Sequence, residues 1–326
     1  MKQGHLRIIM LFSVLYSSIV SGQRAGVDSA YIHLWKKPNV IELYPGVYKT
    51  HFTFSRPDDF KNNYRLVANS SGYMGVYLNY KWLSLEYSWT LPGTQLDKKI
   101  KVKNTSLGYR FNTRNMMFRP FYESLSGLLI PDKKSRHHFN AFPGIQLTRV
   151  GTDIYYYTNT RRFSFSAANY FSAQQVKSAG ALVIMATPSL QSIGWNKPSR
   201  RLLNDSATYQ LLASNMRWVS LLTRLGYNYN FILDEGKWSF SPGVLAGVGA
   251  LSQIHAGNRK FQPVTDFQAW VNAGYNGPQY YVYFNASLDD CQTSLFIKTM
   301  QRTNIDVSLT SGYRFGNSKK KILGIL

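Results

Sequence analysis

The stretch VSLLTRLGYNYNF, from Val219 to Phe231, decides the fold because its side chains alternate in character. Most odd-numbered positions are apolar or aromatic, whereas polar residues and glycine occupy most even-numbered positions. Residues two apart fall on opposite sides of a helix but on the same face of a strand. The stretch therefore predicts a long strand with one apolar face and one polar face.

The same alternation recurs in Leu83–Trp89, Phe267–Tyr275 and Asp306–Phe315. Alternating segments of roughly ten to fifteen residues suit a tilted bilayer crossing, whereas strands of globular proteins usually have five or six. Glycine, serine, asparagine and isolated charges occupy the polar face, and aromatic residues gather near strand ends. We predict an all-β fold, a transmembrane antiparallel up-and-down β-barrel. A secreted β-sandwich or jelly roll is the alternative.

Turn-forming clusters divide residues 39–316 into thirteen alternating segments, one of which is 161–173. A single-chain bacterial barrel normally has an even number of strands. The alternation of short turns and long loops also becomes irregular between residues 143 and 215. We therefore predict about 12 strands, with 10–14 as the range, in a barrel that spans residues 39–316.

The N-terminus predicts export. Lys2, His5 and Arg7 precede the apolar stretch Ile8–Val20, and the small residues Ser21 and Gly22 follow it, which is the order of a signal peptide. We assign residues 1–22 to that signal peptide and 23–38 to an N-terminal periplasmic segment. Residues 317–326 form a basic C-terminal tail. With a membrane barrel between them, these segments predict the bacterial outer membrane.

The charge balance points to lipid. The 38 Lys and Arg residues against 16 Asp and Glu give a formal net charge of +22. Because the protein is exported, nucleic acid is not the expected partner. We expect outer-membrane lipid and lipopolysaccharide to pair with basic loop residues, and the barrel-assembly machinery to insert the chain. The sequence leaves the oligomeric state undetermined. One cysteine, Cys291, excludes a disulfide framework and a multi-thiolate zinc site.

Charged residues on the polar strand faces are the candidate site. Alternation predicts that five of them face the lumen: Glu86, Arg110, Arg224, Asp306 and Arg314. Unpaired buried charge is costly, so these residues could form a paired network that fills a narrow lumen. Alternatively they form a basic constriction that favours anions. The sequence leaves both open.

Among the histidines, His51 is the candidate catalytic residue. It shares a strand face with Lys49 and Thr53 and could point into the lumen, where a nearby serine would make a hydrolase. The chain has no recognised nucleophile, metalloprotease or phosphate-loop motif. We expect no catalytic site, no metal and no cofactor. The expected role is structural, transport or surface interaction. An outer-membrane enzyme acting on lipid or cell-wall material, and a small anion-favouring pore, are the alternatives.

Several short motifs together carry a resemblance to a known family. They are Tyr87–Thr94, Arg162–Ala168, Gln174, Lys177–Gly180 and the closing Gly312–Phe315. In this combination the chain resembles an uncharacterised outer-membrane family of Bacteroides-like bacteria, domain of unknown function 4421, over roughly residues 30–316. The resemblance implies an outer-membrane β-barrel without an assigned reaction. It supplies no catalytic residues.

Overall fold

The computed structural model describes residues 28–56, 59–69, 72–81, 83–97, 103–131, 139–195, 206–254, 261–295 and 298–317. The predicted signal peptide lies outside these residues, as does most of the basic tail. The described strands are β1 Ile32–His33, β2 Asn39–Arg56, β3 Asp59–Ala68, β4 Gly72–Tyr80, β5 Leu83–Thr90, β6 Lys103–Tyr109, β7 Phe111–Asn112, β8 Met116–Pro131, β9 Phe139–Tyr157, β10 Gln174–Gln175, β11 Ala179–Trp195, β12 Met216–Leu233, β13 Trp238–Gln253, β14 Phe261–Asn276, β15 Tyr280–Leu295 and β16 Lys298–Phe315. The described helices are α1 Phe165–Tyr170 and α2 Ser206–Ala213, and a 3-10 turn spans Asp234–Gly236.

The long strands form one closed antiparallel wall. From β8 to β16 each wall strand pairs with the next one along the chain, and β16 pairs with β2 from Thr299↔Ser55 to Phe315↔Asn39. β3 and β4 share one place in the wall, because both pair with β2, at opposite halves of it. β7 likewise extends β6 along β8. The wall therefore has twelve strands, which confirms the predicted barrel and strand number.

The two ends of the barrel differ. We call the end with residues 81, 113–115, 234–236 and 277–279 the turn end, and the opposite end the loop end. β5 and β6 reach only part of the way from the turn end. On the loop-end side of β5 and β6, β3 pairs directly with β8, with Val67 opposite Leu129 and Ala68 opposite Leu128. The wall therefore narrows towards the loop end, where ten strands surround the lumen.

The predicted strand 161–173 is wrong, and it accounts for the thirteenth segment. Ser164 caps α1, because its hydroxyl accepts the Ala167 amide at 3.1 Å. Phe171 ends the helix in the left-handed region, with φ 53°. Serine is a favoured N-cap residue because it satisfies an otherwise unpaired helix amide. The alternating letters around Phe163 and Phe165 thus belong to a cap and a short helix.

The strand faces divide between lipid and lumen. On β2, Ile41, Leu43 and Val47 are 50%, 49% and 53% exposed, whereas Glu42 and Tyr44 between them are buried. Outward apolar side chains of the wall strands form a belt around the barrel, as a bilayer requires. Among the described residues, no helix is long and apolar enough to cross a membrane.

The lumen is filled differently at its two ends. Towards the loop end, an apolar layer packs across it with Leu211 and Leu212 of α2; its members include Phe52, Phe54, Leu66, Leu128, Ile145, Trp195 and Trp218. At the turn end, the connection 158–178 between β9 and β11 folds into the barrel and carries α1. We call residues 163–173 the plug. β1 of the N-terminal segment pairs with β10 just after it, Ile32 opposite Gln175.

Candidate functional site

A cavity of about 500 Å³ lies in the lumen between the plug and the apolar layer. Phe165, Asn169 and Tyr170 of the plug line its turn-end side. Charged side chains line the rest: Glu42, Glu86, Arg110, Arg119, Glu123, Arg149, Asp153, Asp289, Arg302 and Asp306. Six of these are carboxylates and four are guanidiniums, so the chamber wall carries no basic excess.

All five predicted lumen charges face inward, but they belong to separate clusters. The first cluster joins two of them, with Arg110 Nη2 3.5 Å from Glu86 Oε2. The Tyr44 hydroxyl donates to the other carboxylate oxygen of Glu86 at 3.1 Å. The Arg110 guanidinium carbon lies 3.5 Å from the centre of the Tyr170 ring, which belongs to the plug. This pair therefore stabilises the wall and also touches the plug.

The second cluster surrounds Arg224. Its Nε donates to Asp266 Oδ1 at 2.5 Å, and both side chains are almost completely buried. Its Nη1 donates to the Thr187 hydroxyl at 2.8 Å, which in turn donates to Asp153 at 2.8 Å. Asp266 was missed from the sequence, although it continues the polar face of β14 that includes Gln268 and Asn272. On the lumen side of the wall, the cluster links β9, β11, β12 and β14.

Arg314 has no carboxylate partner among the described residues. Its Nη2 donates to the backbone carbonyl of Phe171 and to Asn276 Oδ1, both at 2.5 Å. The Tyr281 ring lies over the guanidinium at 4.1 Å. A side chain on Gly312 would collide with that ring, so glycine makes room for it. Arg314 is thus held among neutral groups and binds the plug.

Asp306 is the last of the predicted set. It accepts a hydrogen bond from the Tyr73 hydroxyl at 3.1 Å, and no cation pairs with it in the described part of the chain. Glu42, which the sequence did not suggest, accepts from the Tyr281 hydroxyl at 2.6 Å. Each of these two carboxylates therefore accepts a hydrogen bond from a tyrosine hydroxyl. A paired network of charges would have an arginine at each of these places.

The prediction that His51 points into the lumen is wrong. On β2 the inward residues are even-numbered, including Tyr48 and Phe52, so His51 lies on the outward face with Val47. The cause of the wrong face for His51 is the apolar layer. Aromatic side chains of β2 point inward near the loop end, which reverses the usual outward placement of apolar residues.

Asn169 also holds the plug in place. Its Nδ2 donates to Asn228 Oδ1 at 2.8 Å, while its Oδ1 accepts from Trp270 Nε1 at 2.6 Å and from Asn272 Nδ2 at 3.1 Å. The ring of Phe171 stacks on Tyr283, with 4.5 Å between ring centres. From the sequence, the sign of this segment was the irregular alternation between residues 143 and 215.

No group of three or more metal-ligating side chains occurs among the described residues. Cys291 is a free thiol, partly buried. Its sulfur lies 3.8 Å from the Thr293 hydroxyl.

Comparison with known proteins identifies a family. The model of the family described as "Domain of unknown function (DUF4421)" matches residues 26–315. This match bears out the resemblance; the bacterial group named with it stays a prediction. None of the curated proteins compared with the chain matches it.

Three solved structures illustrate the fold. The chain is similar to the outer membrane protease OmpT from Escherichia coli, at 9% identity over 88% of this chain and 100% of that one, with a TM-score of 0.34. It is also similar to the COG4313 outer membrane channel from Pseudomonas putida F1, at 12% identity over 87% and 98%, with a TM-score of 0.37. The third is the β domain of the Bordetella autotransporter BrkA, at 14% identity over 85% and 99%, with a TM-score of 0.39. At these TM-scores none of them carries a functional argument.

The location follows from the barrel itself. Within a bilayer every backbone polar group needs a partner, so strands cross only as a closed barrel. The closed twelve-stranded wall with its outward apolar belt is the form that such proteins take in the bacterial outer membrane.

Proposed function

The chain belongs to the DUF4421 family, and from that premise we propose that it is a plugged outer-membrane transport barrel without a catalytic site. A small polar solute binds in the lumen chamber and leaves towards the turn end when the plug shifts. The turn end faces the periplasm, because short turns lie on that side of outer-membrane barrels. One observation carries the proposal: a chain segment occupies one end of the lumen while a chamber of about 500 Å³ remains beside it.

A purely structural barrel would have no need of this arrangement, since side chains can fill a small lumen. The chamber volume is typical of a site for a small molecule. Aromatic rings of Tyr44, Tyr155 and Trp270 line it together with carboxylates and guanidiniums. Such a wall suits a solute with several hydroxyl or amino groups, uncharged, zwitterionic or cationic.

The anion-favouring pore has less support. Carboxylates outnumber guanidiniums on the chamber wall, and Arg224 is neutralised by Asp266. An arginine ring that selects anions would need the opposite balance.

The enzyme alternative has less support as well. In register, His51 lies opposite Thr303, which lies opposite Asp290. The Thr303 hydroxyl donates to Asp290 at 2.5 Å. A catalytic relay needs the histidine between the nucleophile and the carboxylate. Here the hydroxyl stands in the middle, so His51 has no carboxylate to orient it.

Liposome swelling tests the transport proposal. We expect slow swelling with the wild-type protein and faster swelling when the plug is released by Arg314→Met together with Asn169→Ala. The probes are a neutral disaccharide, a zwitterionic amino acid and a dianionic sugar acid. Arg217→Met is the control, because Arg217 is an exposed arginine of β12 that lines neither the chamber nor the plug.

Two results would count against the proposal. If the plug-released variant stays as impermeable as the control to every probe, the protein is not a transport barrel. If the dianionic probe enters fastest, the solute class is wrong and the anion-favouring pore gains support.

A further inference from the structure

The outer wall carries a polar patch that a purely lipid-facing surface would lack. Its outward residues are Lys49, His51 and Arg65 on β2 and β3, Asp290 on β15, and Gln301 and Thr303 on β16. We call these six residues the outer-wall patch. On β12 exposed apolar side chains continue to Val219, near the loop end, whereas on β2 they stop at Val47. The patch therefore borders the apolar belt on its loop-end side.

Strand register brings the patch together. Thr303 lies opposite both Asp290 and His51, on the two sides of β16. Arg65 lies opposite Thr53, two residues from His51 on the same face. Lys49 is two residues from His51 in the other direction. Diagonal side chains on neighbouring strands are about 7–8 Å apart, so Lys49 and Arg65 flank His51 on its two sides.

Asp290, the acidic residue of the patch, already has hydrogen-bond donors within the patch. Asp290 accepts hydrogen bonds from the Thr303 hydroxyl at 2.5 Å and from Gln301 Nε2 at 2.9 and 3.0 Å. Among the described residues, neither Lys49 nor Arg65 has an ion-pair partner. The Nδ1 atom of His51 is buried and has no hydrogen-bond partner in the same part of the chain. Two cations therefore remain available to an anion, and the partly exposed imidazole lies between them.

We propose that the outer-wall patch binds the phosphate group of a lipid in the loop-end leaflet, the lipopolysaccharide leaflet of an outer membrane. Arg65 and Lys49 neutralise the phosphate, and His51 contributes a ring N–H. The site lies at headgroup depth because Val47 and Ile305, its neighbours towards the turn end, belong to the apolar belt. Lysine and arginine at this depth attract anionic headgroups. This inference is independent of the proposed transport function.

Binding of fluorescent lipopolysaccharide to the refolded full chain in zwitterionic detergent tests the proposal. The patch variant is Lys49→Gln/His51→Gln/Arg65→Gln. The matched control is Lys177→Gln/His33→Gln/Arg161→Gln, which makes the same three replacements at exposed turn-end positions. Heat-shifted gel mobility verifies that both variants are folded. We expect the patch variant to bind about 30-fold more weakly than wild type, since each of the two lost cations near an anionic surface contributes about fivefold, and the control to bind as wild type does.

Further arms identify the source of the phosphate. Dephosphorylated lipopolysaccharide should bind as weakly to wild type as the intact form binds to the patch variant. Inorganic phosphate at millimolar concentration should not displace the lipid. Equal losses in the two variants, undiminished binding of the dephosphorylated lipid, or displacement by free phosphate would each overturn the proposal. The proposal would also be overturned if wild type were a dimer and the patch variant a monomer with unchanged lipid binding. The patch would then contact a second copy of the chain.

Discussion

Two inward arginines, Arg224 in the middle of the wall and Arg314 near the turn end, both lie on the polar face of an alternating strand. Their partners differ. Arg224 is neutralised by Asp266 and links four strands. Arg314 donates to the Phe171 carbonyl and to Asn276, and lies against Tyr281. Alternation places both in the lumen, yet one stabilises the wall and the other holds the plug. An inward charge therefore stabilises the wall or holds the plug according to what faces it.

The largest effect is expected at the wall. Asp266→Ala should lower the free energy of unfolding by about 3–5 kcal/mol, because it leaves Arg224 buried without its carboxylate. The measurement is urea unfolding in lipid vesicles, followed by tryptophan fluorescence. The double variant Arg224→Met/Asp266→Leu should recover at least half of the loss, since it removes both charges. A loss under about 1 kcal/mol for the single variant would contradict the wall assignment.

Arg314→Met should act on the plug more than on the wall. Hydrogen bonds from a charged donor contribute about 1.5–3 kcal/mol, so amide exchange across residues 165–173 should accelerate roughly 10- to 100-fold. Hydrogen exchange read by mass spectrometry measures this. Arg302→Met should leave exchange in the plug unchanged. If both variants accelerate it equally, Arg314 has no particular role in holding the plug.

Asn169→Ala should have a similar but smaller effect. It removes hydrogen bonds between neutral groups, each of which contributes about 1 kcal/mol, and leaves the Trp270 indole N–H without its acceptor. We expect faster exchange in the plug and a shift in tryptophan emission. Asn169→Asp, which retains an acceptor for Trp270, should keep more of the wild-type emission. Identical spectra for wild type and the alanine variant would argue against this contact.

The smallest effect is expected for an exposed ion pair. Lys237 Nζ lies 3.1 Å from Asp234 Oδ2, and both side chains are 56% exposed. Asp234→Ala should leave the free energy of unfolding unchanged within the error of the measurement, because water screens the pair. The same urea titration compares it with Asp266→Ala. A comparable loss for the two aspartates would show that burial does not set the strength of these pairs.

Sequence reasoning succeeded where one physical rule acted alone. Alternation in Val219–Phe231 predicts the strand and its inward Arg224, because the two-residue period of a strand fixes which side faces lipid. It failed at His51, where the apolar layer inside the loop end reverses the meaning of an apolar face. It also failed at Phe163–Ser166, where helix capping competes with the alternating pattern.

The sequence by itself determined an exported, basic chain whose long alternating segments form a closed membrane barrel of about twelve strands. Strand period and bilayer thickness are local constraints, so they can be read residue by residue. Only the tertiary structure decided that residues 163–173 lie inside the barrel, and that the basic residues at Lys49, His51 and Arg65 share one patch. Each of these depends on contacts between residues far apart in sequence, which no local pattern encodes.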